Sequence, residues 1–281
     1  MRSITTLAAT ILILSLVVSC GSGEADRDVS RVTADDQPEA AGELIINTNG
    51  EDFVRSGFVS SDGWHITFRH FYVTLTDITV YQTDPPYDPH SGEEIEGIVR
   101  IPLDGTFTLD LAEGDESAEP LLTGTLDNVP AGHYNAMSWT MIPSVEGPSE
   151  GYSIYIDAQA EKGDQSYNVR LGFEESFSYR AGEYIGDERK GFVNPGGSDE
   201  LEITFHVDHL FGDIEQPEDC ELNVTALGFA PFAELMQEGT VEEDLASLSE
   251  KMPEETYTRL KEILPTLGHS GEGHCYCTVI Q

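Results

Sequence analysis

Between Glu43 and His209, β-branched and aromatic residues gather in short runs, each broken by Gly, Pro, Asn or Asp. That is the pattern of strands joined by tight turns. The runs fall at 43–47, 63–82, 98–103, 106–111, 121–126, 132–142, 152–160, 166–173, 176–179 and 200–208. No helix-length periodic segment interrupts them. Many strands without alternating helices predict a mainly β domain over 43–213, an antiparallel β-sandwich or a barrel-like relative of one.

The longest run carries more detail. Its apolar positions are Trp64, Ile66 and Phe68, then Phe71, Val73 and Leu75, then Ile78 and Val80. Each one-residue slip exchanges the two faces of a strand, so the spacing predicts a bulge near Arg69-His70 and another near Asp77. After Asp213 the period lengthens. Stretches 229–236, 241–251 and 253–264 place apolar residues at helical spacing, such as Leu245 with Leu248 and Tyr257 with Leu260 and Ile263. Thr240 with Glu243 has the spacing of a capping box, and Pro253 suits a first helical turn. Residues 214–281 therefore read as a short helical appendage that ends in a His/Cys tail.

Ahead of the strands, Met1-Arg2 is followed by an uncharged apolar stretch over 4–18 that ends in Val17-Val18-Ser19-Cys20-Gly21. The stretch falls short of the roughly 20 residues a crossing helix needs and reads as a signal peptide over 1–19. Residues 20–42 hold no aromatic side chain and many Asp, Glu, Ser and Gly, the composition of a tether.

Charge narrows the partners. Among 281 residues, 52 Asp and Glu face 14 Lys and Arg, a formal net charge of −38. A nucleic acid would be repelled, which excludes that class of partner. Such a surface either suits high salt or concentrates cations near a specific site. The chain lacks a Gly-X-Ser-X-Gly elbow, a His-Glu-X-X-His helix, a phosphate-cradling loop and a dinucleotide fingerprint, so a non-catalytic role is expected.

Two His clusters carry the candidate chemistry. His206-Val207-Asp208-His209 offers two imidazoles and a carboxylate at the end of the last strand, a ligand mix that suits zinc, copper or iron. A hydrogen-bonded corner would use the same residues. His206 and Asp208 share a strand face, and His209 joins them only if the backbone bends. In the tail, His269, His274, Cys275 and Cys277 stand among glycines that permit tight folding, as a chelating loop or as half of a disulfide. With Cys20 set aside, Cys220, Cys275 and Cys277 remain. A bridge from Cys220 to Cys275 or Cys277 would close a loop of roughly 55 residues, worth about 4 kcal/mol by chain entropy. It would draw His269 and His274 toward His206 and His209. The spare thiol would ligate metal, stay buried or pair between chains. His65, His70, His90 and His133 read as packed or surface side chains, and Trp64 and Trp139 as core.

Val17-Val18-Ser19-Cys20-Gly21 resembles the lipobox of bacterial lipoproteins. The resemblance implies acylation of Cys20 by palmitate-type chains, a membrane anchor in the cell envelope and, from Gly21, the outer membrane. Two or three chains would hold stably where one would not. Phe71-Tyr72-Val73-Thr74-Leu75-Thr76-Asp77-Ile78 and Val129-Pro130-Ala131-Gly132-His133-Tyr134 are similar to the periplasmic copper-binding domains of the methanobactin-associated periplasmic protein type. His206-Val207-Asp208-His209-Leu210-Phe211 resembles a motif of bacterial lipoproteins. Together these imply a β-sandwich that binds metal without turnover. The Cys-bearing tail departs from the copper pattern and leaves the ligand set open. The sequence thus leads to an anchored extracytoplasmic protein that binds copper or zinc through His206, Asp208, His209, His269 and His274. The other expectation is a metal-free β-sandwich module that binds an envelope protein or polysaccharide.

Overall fold

A computed structural model describes residues 40–280; the expected signal peptide, Cys20 and the expected tether up to residue 39 lie outside the described residues. The chain starts with β1 (Gly42–Asn49), the one-turn helix α1 (Glu51–Ser56) and the short β2 (Phe58–Val59). Next come the long β3 (His65–Gln82), then β4 (Val99–Pro102), β5 (Thr106–Asp110), β6 (Leu121–Val129), β7 (Gly132–His133) and β8 (Ala136–Met141). The strand-rich region continues with β9 (Ile154–Lys162), β10 (Gln165–Phe173), β11 (Ser176–Ala181), β12 (Phe192–Val193) and β13 (Ser198–Phe205). Helices α2 (Asp208–Phe211), α3 (Glu221–Thr225) and α4 (Ala230–Ala233) precede β14 (Thr240–Asp244). Helices α5 (Leu245–Lys251) and α6 (Glu254–Ile263) lead into the closing hairpin of β15 (Gly268–Ser270) and β16 (Gly273–Ile280).

The fold is mainly β, as the strand pattern predicts, and most strands join one large curled sheet. That sheet is mixed rather than purely antiparallel. β1 runs parallel to β13, and β10 parallel to β14. Both bends of the long strand are present. The register of β3 slips against β9 between Phe68 and His70 and against β8 between Thr76 and Thr79, where Asp77 takes φ 53°. Between these slips β3 passes from β9, paired through Val73, to β8, paired from Leu75. The kinked strand therefore serves two neighbours in succession.

Residues 214–281 are not set apart from the sheet. β14 adds to the edge beside β10, while β15 and β16 connect β13 to β11 in the middle of the strand order. The stretch 241–251 shows why the helical reading overreached. Val241 and Glu243 point inward from β14 in strand alternation, and only Leu245–Lys251 is helical. The capping box is Asp244 with Ser247, four residues after the expected Thr240. One apolar core runs through both halves of the chain, from Phe71, Trp139 and Tyr179 to Phe211, Phe232 and Leu260.

Candidate metal centre

Strand register brings the two His clusters together. Thr204 of β13 lies opposite His269 of β15, and His269 lies opposite His274 across the β15–β16 hairpin. Residues paired across neighbouring strands share a face. His206, two residues beyond Thr204, continues on that face while its N–H donates to the Leu267 carbonyl at 2.9 Å. The strand ends at Phe205, before the expected limit at Asp208, and the helical turn α2 carries His209 back over His206.

Ring centroids lie 4.3 Å apart for His206 and His269, 4.9 Å for His269 and His274, and 5.0 Å for His209 and His269. His206 and His209 are 5.6 Å apart, and His209 and His274 6.5 Å. His206 and His269 are buried, His209 is half-buried and His274 is exposed. Asp208 is buried beside them, with its Oδ1 atom lacking a hydrogen-bond partner. His206, Asp208 and His209 each place a ligand atom within 4.8 Å of the other two.

Hydrogen bonds fix which nitrogen of each ring is open. The Thr266 hydroxyl donates its proton to the Ile263 carbonyl at 2.8 Å. It can therefore only accept from His209 Nδ1, 3.0 Å away, which leaves the lone pair of His209 on Nε2. His269 donates from Nε2 to the Thr266 carbonyl at 3.0 Å, so its lone pair is on Nδ1, a buried atom without a partner. Burial and the neighbouring imidazoles push His209 down to about 4 and His269 down to about 2. Both rings are neutral at pH 7, the form that binds metal.

His206 is turned the other way. Its Nε2 donates to the Gly271 carbonyl at 3.1 Å, and Nδ1 faces Glu51 Oε2 at 3.3 Å. Burial, and then the charge of Glu272, pushes Glu51 up to about 8. Burial also raises the Asp208 carboxyl, against the opposing pull of His206. Gly271 holds φ 58° at the tip of the hairpin, where an added Cβ would run into the Ile185 carbonyl. The glycine is what lets the hairpin close with its carbonyl aimed at His206.

The thiols stand elsewhere. Successive strand residues face opposite sides, so Cys275 and Cys277 point away from the His274 face and pack against the core. Burial raises both, Cys277 to about 12, which keeps them protonated and poor ligands. The expected bridge is not formed. Cys220, Cys275 and Cys277 are free, and Cys220 caps α3 by accepting from the Asn223 N–H at 3.5 Å. The sheet, rather than a disulfide, carries the tail to the His206 corner. Among the other histidines, His70 pairs with Asp110 at 2.7 Å and His133 stacks on Phe192 at 3.8 Å.

Sequence reasoning passed over Glu51, Thr266 and Glu272. Glu272 lies between His269 and His274 and was open to notice as a further oxygen donor. Glu51 and Thr266 carry no local signal, since only the parallel pairing of β1 with β13 and the turn after α6 bring them here. On its outer side the cluster opens through His209 and His274 into a cavity of about 610 Å³, walled by Leu222, Val224 and Ile263. No family model, curated protein or solved structure matches this chain.

Proposed function

We propose that this chain is a lipid-anchored extracytoplasmic protein that binds a transition metal of the copper or zinc class without turning over a substrate. One observation carries the reading: His209 and His269 are neutral, and their hydrogen bonds leave Nε2 of one and Nδ1 of the other open within a group of four imidazoles. Imidazole nitrogen with one carboxylate oxygen is the donor mixture these metals take. His209 and His269 are the principal ligands, His274 and Asp208 complete the set, and His206 borders it. Thr266, which accepts from one ring and holds the other, acts as the outer support that metal-binding histidines generally have.

The anchor is read from Val17-Val18-Ser19-Cys20-Gly21, with Cys20 as the acylated residue and the outer membrane as its place. The curled sheet is read as a β-sandwich closed around one core, comparable to periplasmic copper-binding domains. The acidic surface would draw cations toward the site.

Purified protein should retain copper or zinc through desalting, and His209→Ala combined with His269→Ala should lose the ion held by the imidazole cluster. A metal ion at 100 times its Kd adds about 2.7 kcal/mol to stability, so a chelator should lower Tm. Metal-free protein whose Tm is indifferent to added metal and to chelator would favour the metal-free interaction module.

A further inference from the structure

Beside the imidazole cluster lies a second set of donors with a different composition, which shares His206 with the set of His206, Asp208 and His209. Glu51, His206 and Glu272 each place one ligand atom within 4.8 Å of the other two. His206 is 5% exposed, and its Nε2 is committed to the Gly271 carbonyl, so Nδ1 is the atom presented to the carboxyl groups. The 3.3 Å from His206 Nδ1 to Glu51 Oε2 also matches the spacing of two ligands on one tetrahedral ion. At about 2.0–2.1 Å from the metal, such ligands stand about 3.3–3.4 Å apart.

A second observation comes from Asp208, which adjoins both sets through His206. Asp208 is 8% exposed, and its Oδ1 has no hydrogen-bond partner, although the carboxyl group lies near enough to Glu51 to act on its charge. A buried, unpartnered carboxyl oxygen beside His206 and close enough to act on Glu51 calls for a cation.

We propose that Glu51, Glu272 and His206 Nδ1, with Asp208 between the two sets, form a second cation site, so that the centre holds two divalent ions. This rests on the reading of the imidazole cluster as a metal centre. The two sites differ in chemistry. The imidazole cluster around His209 and His269 offers mainly nitrogen, suited to copper or zinc, whereas two carboxylates and one imidazole suit a harder ion, zinc or manganese. Glu272, exposed at the hairpin tip, gives the second ion its path from solvent.

The test is a zinc titration of the full chain in excess magnesium, which saturates the general acidic surface, followed by desalting and metal analysis. The wild type should retain two equivalents. Glu51→Gln with Glu272→Gln should retain one, and so should His209→Ala with His269→Ala. Glu272→Gln alone changes only an exposed side chain and should leave the fold intact, while the second equivalent dissociates at least tenfold more readily. One equivalent in the wild type, unaltered by the glutamine changes, overturns the second site and leaves the imidazole site standing. Retention of none overturns both.

Discussion

His209 donates its Nδ1 proton to the Thr266 hydroxyl at 3.0 Å, and that hydroxyl is itself spent on the Ile263 carbonyl at 2.8 Å. The tautomer of His209 therefore depends on one side-chain oxygen, whereas that of His269 depends on the Thr266 backbone. Thr266→Val should lower zinc affinity by about 10- to 100-fold, the usual effect of losing such a support, and Thr266→Ser should restore it. Nitrogen-15 NMR of the metal-free protein separates this role from general damage. The His209 Nδ1–H form should weaken in Thr266→Val, while His269 keeps its Nε2–H form.

Metal-free protein should be most stable near pH 6.5. His209 and His269 titrate at about 4 and about 2 in the fold against 6.5 when unfolded, so the unfolded chain binds more protons below 6.5. Their contribution is complete above 6.5 and is lost as pH falls. Glu51 runs the other way, at about 8 in the fold against 4.5 when unfolded. Its contribution is complete below 4.5 and is lost as pH rises through 8. His133, which burial also lowers, acts with His209 and His269, and Asp208, which burial raises, acts with Glu51; above 6.5 the histidines no longer titrate and the carboxyl groups set a falling slope. Urea unfolding at fixed ionic strength should show this maximum, and Glu51→Gln should flatten the upper limb.

Gly271→Ala should cost about 1–3 kcal/mol, because φ 58° disfavours a side chain and the Ile185 carbonyl blocks it. The hairpin must shift to relieve the clash, which moves His269, His274 and the Gly271 carbonyl together. Denaturant unfolding and metal retention should therefore fall in the same variant. Normal retention with lowered stability would separate the hairpin from the site.

Unfolding without reductant should release three reactive thiols from Cys220, Cys275 and Cys277. In the folded protein Cys275 and Cys277 should react slowly, since burial holds both thiols protonated. Cys275→Ser and Cys277→Ser should leave metal retention unchanged, because both side chains lie on the far face of β16 from His274. A single reactive thiol on unfolding would restore the disulfide inferred from cysteine spacing.

How much of this was legible in the chain depended on the range of the forces involved. The slips at Arg69-His70 and Asp77 were readable because a strand records its faces in successive residues. The juxtaposition of His206 and His209 with His269 and His274 was expected, but through a covalent tie that the structure lacks. The actual cause is the pairing of Thr204 with His269, a contact distant in sequence that leaves no local trace. Val241 to Asp244 was misread because its strand alternation runs straight into the helix at Leu245, and four residues are too few to separate the two periods. Glu51 was invisible for the same reason as the Thr204 pairing, since β1 meets β13 only in the folded sheet.

X-ray absorption of the zinc-loaded protein is the most direct test of the central claim. The account predicts nitrogen and oxygen neighbours at about 2.0–2.1 Å with the multiple scattering of coordinated imidazole rings, strongly reduced in His209→Ala combined with His269→Ala. A shell of oxygen alone, without imidazole scattering and unaltered in that variant, would place the metal on the acidic surface and contradict it.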